Sequence, residues 1–89
     1  MEPKERRATP AMLSSEWPDG PSSSPAGEAA RRFALKLREA IGQRSVRSVA
    51  RDAGVDEGTI RKILSGQSWA DFHTIWSLEP TLDTPLYSR

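Results

Sequence analysis

Between Glu57 and Lys62 a short run of residues carries groups that could bond to the edges of nucleic-acid bases. Thr59, Arg61 and Lys62 hold donors, Glu57 holds an acceptor, and Gly58 leaves a bare stretch of backbone. Lys62 can donate to guanine O6 and N7 or simply hold a phosphate, and it is the first choice as a base reader. The planar fork of Arg61 suits the same two guanine atoms, or the backbone if its angle directs it there. Thr59 can meet a thymine methyl or a phosphate. Glu57 can accept from cytosine N4, but an acid in a first helical turn also suits the helix dipole, and that structural role is the expectation. Gly58 lets the backbone approach a duplex closely or is a tolerated glycine. Arg44, Ser45, Arg47, Arg51, Ser65 and Gln67 form a second set suited to phosphates, which set register without reading sequence. Ser45 adds the exposed N–H groups of a helix start. For Arg51 the neighbouring Asp52 offers an alternative, a pair on a solvated face.

These side chains are useful only if rigid elements aim them, and the apolar spacing supplies helices. Ala30, Phe33, Ala34, Leu37 and Ile41 recur at three and four, predicting a first helix from near Gly27 to Ile41, with Ser24 and Pro25 as its start and Gly42 as its stop. Ser45 caps a second helix, 46–53, with Val46, Val49, Ala50 and Ala53 inward and Arg47 and Arg51 outward. Asp56 caps a third, to about Leu64, with Ile60, Ile63 and Leu64 inward; Ser65 and Gly66 end it. A fourth is expected from Ala70 to Glu79, where Pro80 should stop it. His73 should border the core, Trp69 should pack at the preceding loop, and Leu82, Leu86 and Tyr87 should close the bundle. No stretch alternates as a strand does, so the fold class is all-α: a compact bundle of four to five short helices.

The segment VRSVARDAGVDEGTIRKILS, residues 46–65, has the internal grammar of a helix-turn-helix. Two short helices crossing steeply need a small residue at their contact, which Ala50 supplies. The turn needs a residue that tolerates positive φ, which Gly54 supplies, and the second helix needs an abrupt start, which Asp56 supplies. Val49, Val55, Ile60 and Ile63 pin the pair to the core. In such an arrangement the second helix lies in the major groove of DNA with its N-terminal half at the bases.

Charge follows the same division. Residues 28–65 carry nine basic and five acidic groups, whereas residues 1–27 have a net charge of −1 and residues 66–89 of −2. The positive charge thus sits where the helix-turn-helix falls. Residues 1–26 are expected to be a disordered tail, rich in proline and serine and short of apolar area to offset chain entropy. Met12, Leu13 and Trp17 are its exceptions, able to dock on the domain or on a partner. Lys4, Arg6 and Arg7 could enter a minor groove, although Glu2 and Glu5 alternate with them.

The run SVARDAGVDEGTIRKILSGQSWADFHTIWSLEPTL resembles the lambda-repressor-like, Cro/XRE-type helix-turn-helix domains, particularly those of actinobacteria and their phages. The resemblance spans roughly residues 28–87 and lies in the order of parts: helix-turn-helix, Ser-Gly, then a tryptophan-led loop into another amphipathic helix. It implies a compact bundle that binds operator DNA, commonly as a dimer.

Other classes find little support. His73 is the single histidine, there is no cysteine, and no glycine-rich phosphate loop or paired-carboxylate site accompanies them, so neither enzyme, metal site nor cofactor is expected. No apolar run reaches membrane-spanning length and no secretory leader is evident, which points to the cytoplasm. No small-molecule ligand is indicated. The expected partner is a double-stranded DNA operator, with repression by occupancy, and a possible homodimer through a patch of Trp76, Leu82, Leu86 and Tyr87. The competing expectation is a protein-interaction module, such as an antitoxin, in which DNA contact is secondary.

Overall fold

A computed structural model describes residues 8–86. Four α-helices carry the chain: α1 (Pro25–Ile41), α2 (Val46–Ala53), α3 (Glu57–Leu64) and α4 (Phe72–Leu82), preceded by one 3-10 turn at Ala11–Leu13. The fold is all-α. Each helix starts on a short polar side chain that takes a backbone amide: Ser24 from Gly27, Ser45 from Ser48, Asp56 from Thr59 and Asp71 from Thr74. These four caps satisfy amides that the first helical turn leaves without partners, and that is why the helices begin where they do.

α2 packs on both α3 and α4, and α3 also rests on α1. The core between them holds Phe33, Leu37 and Ile41 of α1, Val49 and Ala50 of α2, Ile60 and Ile63 of α3, and Ile75, Leu78 and Leu82 of α4, with Leu86 closing one end. Leu37, Val49, Ile60 and Leu78 are wholly shielded from solvent.

α4 differs from its expected bounds at both ends. It starts at Phe72, not Ala70, because Asp71 provides the cap, and it runs through Pro80 to Leu82. Pro80 brings no amide hydrogen, at a cost of about 3 kcal/mol in a helix interior. Carrying the helix one turn further places Leu82 in the core and lets Leu86 follow, and burying two leucines contributes about 3–6 kcal/mol. The helix then ends at Asp83 in the left-handed region, and the Leu86 amide donates to Glu79 Oε2 at 2.7 Å. Two further expectations change with it. His73 is exposed and does not border the core. Leu82 and Leu86 are core residues and cannot form a dimer patch, while Tyr87 lies outside the described residues.

The expected tail also needs correction over residues 8–26. Residues 25–26 belong to α1, and residues 8–24 lie across the helices as a strap. Trp17 and Trp69 each donate an indole N–H, to the Leu64 and Ala8 carbonyls respectively. Pro10 is buried, and Ser14 and Ser22 pair as an isolated antiparallel bridge. Pro10, Pro18 and Pro21 already restrict the chain, so ordering it costs less, and each large indole contributes apolar area together with a hydrogen bond. Lys4, Arg6 and Arg7, the proposed minor-groove arm, lie outside the described residues.

Candidate nucleic-acid interface

α2 and α3 are joined by three residues, 54–56. Gly54 takes φ 74° and ψ 30°, a left-handed conformation that glycine adopts without a Cβ penalty. Its amide and that of Val55 both fold back to the Ala50 carbonyl, at 2.9 and 3.0 Å. Ala50 itself is 4% exposed, small enough for the two helices to meet. Asp56 Oδ2 then takes the Thr59 amide at 3.1 Å and starts α3. A Cβ on Gly58 would stand 2.9 Å from that same oxygen, so the glycine leaves room for the cap. This gives Gly58 a local role that its spacing alone did not reveal.

With Ile60 and Ile63 buried, the opposite side of α3 carries Arg61 and Lys62, both exposed, while Glu57, Gly58 and Thr59 are half-buried along its first turn. Arg44, Ser45, Arg47 and Arg51 are exposed on and before α2, and Ser65 and Gln67 are exposed just after α3. Ser65 Oγ donates to the Lys62 carbonyl at 3.2 Å, and the Gln67 amide donates to the same oxygen at 2.8 Å, so the chain turns tightly at that end.

Two carboxylates, Glu57 and Asp52, each paired with two guanidinium groups, structure this surface. Glu57 Oε2 accepts from Arg61 Nη2 at 2.6 Å and from Arg61 Nε at 2.9 Å, while Glu57 Oε1 lies 3.5 Å from Arg47 Nε. Glu57 is thereby held as an anion below its usual range, chiefly by the bond from Arg61. Asp52 accepts from Arg44 at 2.7 Å and lies 3.7 Å from Arg51. Among the described residues the Lys62 ammonium has no ion pair. The Glu57–Arg61 pair is an ordinary four-residue helical spacing and was open to sequence reasoning. Asp52 as a partner of Arg44 was not, because Arg44 lies in the connection before α2 and Asp52 near the far end of that helix.

No family model matches this chain, and no curated protein is significantly similar to it.

The interface therefore stands on its own geometry. It offers five cationic side chains on α2, α3 and the connection before them, four of which touch a carboxylate within the protein. Such a surface can exchange internal carboxylate contacts for external phosphates, and it offers Lys62 without that exchange. No helix among the described residues is long and apolar enough to cross a membrane.

Proposed function

We propose that this chain is a sequence-selective DNA-binding regulator, most simply a repressor, that lays α3 in the major groove. The observation that carries the reading is the α2–α3 pair. It has a three-residue turn through a left-handed Gly54 and a small contact at Ala50, and a capped α3 keeps Ile60 and Ile63 in the core while Arg61 and Lys62 face outward. A helix held in this way can enter a groove without losing its own packing. Lys62 is the base reader in this account, with Arg61, Thr59, Glu57 and the Gly58 backbone beside it. Arg44, Ser45, Arg47, Arg51, Ser65 and Gln67 meet the flanking phosphates.

The resemblance of residues 28–87 to lambda-repressor-like domains agrees with this reading, and so does the positive balance of residues 28–65. Two copies on two half-sites would supply the selectivity that one eight-residue helix lacks, and the protein would act in the cytoplasm on an operator.

A second reading has its own support. Phe72 and Trp76 are 64% and 55% exposed, and their rings meet edge to face at 5.6 Å. An exposed aromatic pair suits contact with another protein. A gel shift with genomic fragments at two salt concentrations separates the two readings. Selective retention that weakens steeply as salt rises supports DNA reading; no retention at low salt favours the interaction module.

A further inference from the structure

The strap of residues 8–24 meets the far end of α3. Trp17 Nε1 donates to the Leu64 carbonyl at 2.9 Å, filling one of the carbonyls that a helix C-terminus leaves without an internal donor. The Ala11 amide donates to the Gly66 carbonyl at 2.9 Å. Gly66 has φ 77°, and a Cβ there would stand 2.7 Å from Ala11 Cβ and from Cδ2 and Cε2 of the Trp17 indole. Strap and turn are therefore in direct backbone contact. Further along, the Ser22 amide donates to Glu28 and Arg31 Nη1 donates to the Pro18 carbonyl, tying the strap to α1. The loop after α3 is tied as well, through Trp69 and Ala8.

α3 spans only eight residues, too few to hold a direction by itself, so its orientation is set by what its ends touch. Asp56 and α2 set the first end. The strap sets the second. We infer that Trp17 is a positioning residue for the reading helix, and that residues 8–24 belong to the DNA-reading unit and are not an appendage to it. This rests on the proposed role of α3, and it adds a requirement that the helix-turn-helix alone does not carry.

Two full-length variants test it. Trp17→Phe keeps a ring over Gly66 and deletes the donor, and Trp17→Ala removes both. The amides of Ser65, Gly66 and Gln67, which donate to Arg61, Ile63 and Lys62 carbonyls, should exchange with solvent about tenfold faster in Trp17→Phe, while α1 amides keep their rates. On DNA the same variant should lose about tenfold in its ratio of selective to non-selective affinity, with the salt slope unchanged. Equal acceleration in α1 and α3 would reduce Trp17 to general stability and overturn the inference. So would unchanged exchange at all three amides. Should Trp17→Ala fail to fold, Trp17→Phe decides. If the unaltered protein shows no preference among duplexes, the DNA reading fails by itself, and the exchange rates still decide whether the strap clamps α3.

Discussion

Glu57 holds Arg61 through a single carboxylate oxygen, Oε2, which accepts from both Nε and Nη2 at 2.9 and 2.6 Å. Its other oxygen lies near Arg47 on the neighbouring helix, so one acid steadies a guanidinium on each member of the pair. Under the proposed DNA reading the same acid would face the duplex. Replacing it with the neutral Glu57→Gln should raise non-selective affinity about threefold at low salt, with the gain shrinking as salt rises. Fluorescence anisotropy on a random duplex measures this. A fall in affinity would mean that holding the arginines outweighs the repulsion.

Lys62 and Arg47 should fail in different ways. Lys62→Ala should cost about 10- to 100-fold on a selected duplex and little on random DNA, the signature of a lost base contact. Arg47→Ala should weaken all duplexes alike and lower the salt slope by about one. Titrations of both variants at several salt concentrations distinguish the roles, and interchangeable behaviour would show that Lys62 is only another phosphate ligand.

The strap has a pH limit. Glu28 takes bonds from Arg31, the Ser22 amide and Arg32, and these hold its carboxyl down to about 2 from an ordinary 4.5. A depressed acid contributes its stability above the unfolded value and loses it as pH falls toward the folded one. The melting temperature of the native protein should therefore exceed that of Glu28→Gln at neutral pH, and the gap should close between about 4.5 and about 2. A gap that persists unchanged below that window would assign the difference to something other than this charge.

Of the four residues expected in a dimer patch, Leu82 and Leu86 are in the core and Trp76 is exposed beside Phe72. Trp76→Ser should shift monomer stability little, because its ring is largely in water, yet it should weaken joint occupancy of two half-sites about 34 Å apart. Light scattering of the protein on such a duplex checks this. A native monomer on one half-site would contradict the dimer.

What the residues disclosed in advance was local. Ser45 and Asp56 cap the helices they precede, and the bounds of α2 and α3 follow from those caps and from Gly54. The outward side of α3 followed from Ile60 and Ile63. The larger misses were long-range, while the Asp71 cap that starts α4 at Phe72 was a local one. Trp17 reaches Leu64 across 47 positions and Trp69 reaches Ala8 across 61, separations that no local pattern encodes. Pro80 was read by its backbone cost alone, when the burial of Leu82 decides the matter. Within the candidate site, the four-residue spacing of Glu57 and Arg61 was visible, whereas the meeting of Arg44 with Asp52 needed the chain to be folded.

The most direct measurement is duplex affinity of the double variant Arg61→Ala/Lys62→Ala, checked first for native helicity. If α3 reads the major groove, this variant should lose at least about 100-fold on the preferred sequence and converge with random DNA. Undiminished affinity and undiminished sequence preference in the folded variant would contradict it.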